Sequence, residues 1–176
     1  MNKFDLIDHN QKQIMKISAK GLQLIEKHEG CKLKSYICPA GKWTVGIGHV
    51  RTAKQGMIIT KEQAYDLLRS DLEISESSVK RHNLNLNQNQ FDALVSLVFN
   101  IGGTNFATST LLKKIKGHSP EAEIKAEFAK WKFGGNGESN GRDDDGDGLI
   151  DEPGEKKLQP GLITRRKEEA DLYFSS

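Results

Sequence analysis

Leu24-Ile25-Glu26-Lys27-His28-Glu29-Gly30-Cys31-Lys32-Leu33-Lys34-Ser35-Tyr36-Ile37-Cys38 leads through Pro39-Ala40-Gly41-Lys42 into Trp43-Thr44-Val45-Gly46-Ile47-Gly48-His49. A helix, a stop and a hairpin meet in this stretch. Ser18 is a good N-cap for a helix over residues 19–29, with Leu22, Leu24 and Ile25 on its buried side. Gly30 ends that helix, since glycine enters the terminal left-handed conformation without a Cβ penalty. Residues 33–38 and 43–47 alternate with the strand period, and Pro39-Ala40-Gly41 between them is a turn. The pattern predicts a small β-hairpin, with a third strand near Met57-Ile58-Ile59.

Outward from this stretch the chain reads as helical. Thr60 and Gln63 form a capping box for a helix to about residue 80. Asn87 or Asn89 opens a helix over 90–101, with Phe91, Leu94, Val95 and Val98 as its core stripe. Gly102-Gly103 ends it, and a helix near 109–116 follows. Ser119 as cap and Pro120 at the first position predict a helix to about residue 131. A last helix fits 161–174. The expected fold class is α+β: a mostly helical body, a small hairpin lobe and a cleft between them. Residues 1–17 read as an arm with no clear face. Residues 18–176 read as one catalytic domain, interrupted at about 134–157 by a loop rich in Gly, Asn and Asp. No internal repeat is visible.

At 176 residues the chain is long enough for one domain with a real core. The net charge of +2 conceals an asymmetry. Residues 143–155 hold seven acids and no base, so elsewhere 26 bases face 17 acids. A basic body suits an anionic polymer, either nucleic acid or a cell envelope. The basic residues are scattered and no nucleic-acid motif appears, which argues against nucleic acid. No run is apolar enough to span a bilayer, and residues 1–16 lack the apolar core of a signal peptide. A substrate outside the cytoplasm therefore implies another way out. Two cysteines are too few for a disulfide scaffold.

Glu29 closes a helix that points into the hairpin carrying Cys38 and Thr44. Taken singly, these are a solvated Glu at a helix end, a small buried hydrophobe and an ordinary strand residue. Taken together they suit glycoside hydrolysis. One carboxyl protonates the leaving oxygen, while a group on the opposite side handles water or the anomeric carbon. The acid must be protonated near neutral pH, which predicts an apolar wall beside Glu29.

The run 24–36, followed by 43–49, resembles the phage-type lysozymes (muramidases). Their active-site pattern is a Glu, eight residues, Asp or Cys, five residues, then Thr, and Glu29, Cys38 and Thr44 match it. Gln90-Phe91-Asp92-Ala93-Leu94 to Asn100-Ile101-Gly102 is similar to the family's central helix. Pro160-Gly161-Leu162 with Arg165-Arg166 and Glu169 is similar to its C-terminal helix. The resemblance covers residues 18–133 and 158–174, in order. It implies an endolysin that hydrolyses the β-1,4 bond between N-acetylmuramic acid and N-acetylglucosamine in peptidoglycan, for host lysis. It implies Glu29 as general acid and Thr44 as a holder of the water or the sugar face. Relatives with Asp at the middle position use that carboxylate to activate water. Cys38 stands there in this chain, and its thiolate would serve as base or nucleophile.

Supporting roles are expected for His49, Asn100, Arg165 and Arg166. Relatives place a basic residue from the last helix near the acid, and a solvated helix face is the plain alternative for both arginines. His49 is expected to be a structural histidine bonded to a carboxylate. Some family members with this cysteine spacing are controlled through a disulfide. A Cys31–Cys38 bond would be such a lock, while two reduced thiols are the ordinary cytoplasmic state. The resemblance also implies a holin as the route from host cytoplasm to wall, and monomer is the default state.

Asp143-Asp144-Asp145-Gly146-Asp147-Gly148-Leu149-Ile150-Asp151 follows the pattern of a calcium loop. Asp143, Asp145, Asp147 and Asp151 supply oxygens, Leu149 a backbone carbonyl and Gly148 the turn. Position 12, usually a bidentate Glu, is Gly154, with Glu152 and Glu155 on either side. The expectation is a structural Ca²⁺ and no cofactor for catalysis; a disordered acidic loop is the alternative. Two other functions compete: a wall-binding protein whose activity is lost, suggested by Cys38, and a lytic transglycosylase using Glu29.

Overall fold

The computed structural model describes residues 15–38, 41–134 and 157–175. Helix α1 (Ala19–Glu29) leads into the hairpin β1 (Lys32–Ile37) and β2 (Trp43–Gly46). Helices α2 (Lys61–Lys80), α3 (Gln88–Ile101), α4 (Gly103–Thr108), α5 (Thr110–Lys116) and α6 (Glu121–Ala129) follow. The two-residue strands β3 (Phe133–Gly134) and β4 (Lys157–Leu158) pair antiparallel ahead of α7 (Pro160–Tyr173). The α+β layout expected from sequence is the one observed.

Helix α3 is the axis of the body. Asn87 and Gln90 cap it reciprocally, and every residue from Phe91 to Val98 is buried. A helix buried all round has neighbours on every side, and α1, α2, α4 and α7 surround this one. Its polar members are therefore paired. Asp92 accepts from both the amide and the hydroxyl of Ser18, clasping the start of α1 to α3. Gly21 lies so close that a Cβ there would sit 2.8 Å from the Asp92 carboxyl carbon. The side chain of Ser18 also accepts from the Gly21 amide, so one residue caps α1 and docks it.

The hairpin pairs Tyr36 with Thr44 and Ile37 with Trp43, with an irregularity between Lys32 and Tyr36. Beneath it Val45, Ile59 and Ala64 form a small core of their own, apart from the large helical core. Cys31 packs against both and marks the seam between lobes.

Several expectations need correction. The third strand is a single bridge, Lys34 to Ile58, flanked by Ser35 N–H to the Met57 carbonyl (2.8 Å) and Ile59 N–H to the Leu33 carbonyl (2.9 Å). Pro120 is the cap of α6 rather than its first residue, because its ψ of 148° is extended. Ser119 instead closes the preceding turn, donating its amide to the Lys114 carbonyl. Gly102-Gly103 ends α3 as expected, but the chain turns at Gly102 (φ +86°) straight into α4, which the sequence reading did not foresee. Met15 and Ile17, counted with the arm, pack on the large core. The Ile17 amide donates to Glu76 at 2.9 Å. Among the described residues no helix is long and apolar enough to cross a membrane.

Candidate active site

Glu29 is the last residue of α1, placed there because Gly30 (φ +73°) returns its amide to the Glu26 carbonyl and ends the helix. Its side chain stays 30% exposed at the rim of a cleft. That cleft has a volume of about 390 Å³ and is lined by His28, Glu29, Asn100, Gln159, Gly161, Leu162 and Arg165. The expected apolar wall beside Glu29 is absent from this lining. Leu162 is its large apolar member, and the group on Glu29 itself is a guanidinium: Arg165 Nη1 donates to Glu29 Oε1 at 2.6 Å.

Arg165 comes from α7 and is fixed from three directions. Nε donates to Glu169 Oε1 at 3.1 Å, and Nη2 to the Ser96 carbonyl of α3 at 3.3 Å. Ser96 Oγ donates to the same Glu169 oxygen at 2.7 Å. Arg166 does not touch Glu29. It pairs with Glu169 Oε2 at 3.1 Å and donates to Asn100 Oδ1 at 3.1 Å, seating Asn100 at the cleft wall. Positions 165, 166 and 169 share a helix at i, i+3 and i+4 spacing, so both arginines meet one carboxylate. Arg165 and Arg166 are 3% and 1% exposed, which excludes a solvated helix face. Burial pushes Glu169 up and holds Arg166 down at about 10. The guanidiniums of Arg166 and Arg165 oppose that rise in Glu169.

His28 lies beside Glu29 and joins α1 to α7 on the outer side of the cleft. Its Nε2 is 3.0 Å from Glu168 Oε2, and Lys27 takes the other Glu168 oxygen at 2.6 Å. Burial first, and the charge of Arg165 second, push His28 below its usual value, against the pull of Glu168. Farther back, Glu26 accepts from Tyr65 Oη and pairs with Lys61 at 3.1 Å.

Cys38 and Thr44 lie on the hairpin that starts three residues after Glu29, and neither is among the cleft's lining residues. The Cys38 amide and carbonyl close the turn with Lys42 and Gly41. Thr44 is buried, with Oγ1 donating to the Lys42 carbonyl at 3.1 Å. His49 is wholly internal, with Nδ1 2.7 Å from Asp71 Oδ2 and Nε2 2.8 Å from Thr52 Oγ1. Cys31 and Cys38 carry separate thiols with no S–S bond between them. Burial, then Glu26, push the Cys31 thiol up, away from the reactive thiolate.

The calcium-loop residues Asp143, Asp145, Asp147, Leu149 and Asp151 lie outside the described residues. Among the described residues no cluster of His, Cys, Asp and Glu could hold a metal ion. No local pattern in the sequence marks Ser96, His28 or Glu168 as members of the site. Only the Arg-Arg-x-x-Glu spacing on one helix signals the Glu169 hub.

The phage lysozyme family model matches residues 26–169. An endolysin of Acyrthosiphon pisum secondary endosymbiont phage 1 is 42% identical over 163 residues, which is 92% of this chain and all of that protein. Among solved structures, an endolysin from Escherichia coli O157:H7 phage FAHEc1 superposes with a TM-score of 0.76 at 32% identity, covering 92% of this chain and 95% of that one. The muramidase domain of SpmX from Asticaccaulis excentricus gives 0.74 at 33% identity, covering 92% and 99%.

Proposed function

Since the chain belongs to the phage lysozyme family and is a peptidoglycan-hydrolysing muramidase, we propose that Glu29 is the acid that cleaves the β-1,4 bond between N-acetylmuramic acid and N-acetylglucosamine. The observation that carries this reading is the Glu29–Arg165 contact of 2.6 Å at the rim of the cleft. Arg165 holds Oε1, and delivery of the proton is assigned to Oε2. That proton passes to the glycosidic oxygen as the bond from C1 breaks, releasing the N-acetylglucosamine 4-hydroxyl. One water is consumed: its oxygen joins C1, and its proton returns to the carboxylate. Asn100, held by Arg166, offers hydrogen bonds to the sugar. Thr44 and Cys38 act from the hairpin side, with Cys38 at the position where the family pattern allows Asp or Cys.

The test is clearing of outer-membrane-stripped Gram-negative cells in reductant, with products analysed by mass. Glu29→Gln should lose about two to four decades of activity, and wild type should release new reducing ends. Cys38→Asp should keep clearing, because it restores the carboxylate of relatives. A 1,6-anhydro product would reassign the chemistry to a transglycosylase, and no clearing by wild type would leave a wall-binding protein.

Three further assignments belong to the same proposal. The enzyme is made in the host cytoplasm and reaches the wall through a holin pore. It acts as a monomer. The loop at 143–151 binds a structural Ca²⁺, supported by its oxygen-donor spacing. Millimolar Ca²⁺ should then raise Tm, by mass action on the folded state, and Asp145→Ala should abolish the rise; an unchanged Tm in wild type would remove the site.

A further inference from the structure

Residues 31–60, the hairpin lobe, hold five of the chain's 26 bases and none of its 24 acids. Lys32, Lys34, Lys42, Arg51 and Lys54 are all exposed. No acid among the described residues lies within ion-pairing distance of any of them, whereas Lys27, Lys61, Lys80 and Lys114 are each paired elsewhere. The same lobe exposes large aliphatic side chains: Ile58 at 73%, Ile37 at 60%, Val50 at 45% and Leu33 at 41%. The two features are interleaved. Lys34 and Ile58 are directly opposed across the isolated bridge, so their side chains share one face. Ile59, the next residue, points the other way into the small core. Lys32 Nζ sits 4.0 Å over the ring of half-buried Tyr36.

We propose that this lobe docks on an anionic phospholipid surface. Lysines without acidic partners attract an anionic leaflet. Aliphatic side chains standing beside them enter the boundary between headgroups and acyl chains, while the lysine stems extend toward the phosphates. Tyr36 is of the aromatic type that favours that interface. The carboxylates of peptidoglycan stem peptides, like the phosphates of a nucleic acid, would account for the lysines but have no use for the exposed isoleucines. Docking would hold the cleft, three residues upstream of β1, close to the membrane, a role separate from bond cleavage.

The test is sedimentation of the whole protein with phosphatidylcholine vesicles, with or without phosphatidylglycerol. Binding should require phosphatidylglycerol and weaken with salt. Reversing two of the five lobe charges, Lys32→Glu with Lys34→Glu, should weaken it by more than about tenfold, since each lysine contributes on the order of fivefold. Ile58→Ser should weaken it without any change of charge. Lys113→Glu with Lys116→Glu, an equal charge change on exposed positions of α5, should leave binding within about twofold of wild type. Circular dichroism and Tm keep folding defects apart from binding defects. Equal losses in the two charge pairs would reduce the effect to net charge and overturn the lobe assignment. So would absence of vesicle binding, or a lobe variant that loses isolated sacculi or RNA but retains vesicles.

Discussion

Arg165 reaches Glu29 across 136 positions of sequence and also holds Glu169 and the Ser96 carbonyl. Its removal leaves Glu169 with one cationic partner fewer in a site that is 0% exposed. Arg165→Met is therefore expected to lower stability by about 3–5 kcal/mol, the range for breaking a buried pair. Urea denaturation measures it. Arg165→Lys should rescue little, because an ammonium cannot span three acceptors as a guanidinium fork does. Glu29→Gln, acting at the rim, should change stability by less than about 1 kcal/mol while activity collapses. Stability falling as far in Glu29→Gln as in Arg165→Met would make Glu29 a structural residue. At this scale the sequence identifies the residue types and their spacing. It does not say which of two adjacent arginines faces Glu29, because one helical position turns a side chain by roughly 100°.

Where an element begins and ends depends on contacts within a few residues, and this was largely legible. The Thr60–Gln63 capping box is present in both directions, as is the Asn87–Gln90 box. Gly30 ends α1 at φ +73°, with no neighbouring atom within 4 Å of where a Cβ would lie. With ψ 170° Gly30 lies in a region essentially confined to glycine rather than in the left-handed helical well, and Gly30→Ala is then opposed by backbone strain alone, about 1–3 kcal/mol. Thermal denaturation should show a loss of that size. Activity should fall further than stability alone explains, since Glu29 is adjacent. A fully stable Gly30→Ala would mean that the turn relaxes. The elements missed, α4 and the β3–β4 pair, have weak local signals: six residues after a double glycine, and two pairs across the 134–157 segment. Ser119 illustrates the same limit. Its amide is used by the Lys114 carbonyl, so a good local cap was not available to α6.

Across the whole molecule, α1 is joined to α2 and to α7 by titrating groups, which predicts a two-stage acid response. His28 is pushed below 6.5, mainly by burial, so the folded state disfavours its protonation. Its contribution to stability is present above pH 6.5 and is lost as pH falls through the lower folded value. Glu26, lowered chiefly by Tyr65, and Glu168, lowered chiefly by Lys27, contribute above 4.5 and lose that contribution as pH falls below it. Denaturation midpoints should thus decline gently below pH 6.5 and more steeply below 4.5. His82, pushed down by burial and then by Lys116 and Arg81, contributes in the same window, so His28→Gln should reduce the upper decline while leaving the lower one, and an unaltered upper decline in that variant would sink the assignment. Helix starts after Ser18, Thr60 and Asn87 and the hairpin after Glu29 were legible in the order of residues alone. These rest on propensities and hydrogen bonds between near neighbours, which the local order of residues carries. Long-range packing brings Ser18 onto Asp92, buries both arginines on Glu169 and makes the wall beside Glu29 cationic rather than apolar. Those outcomes depend on which faces of α1, α3 and α7 meet, and that follows from packing of the whole core around α3.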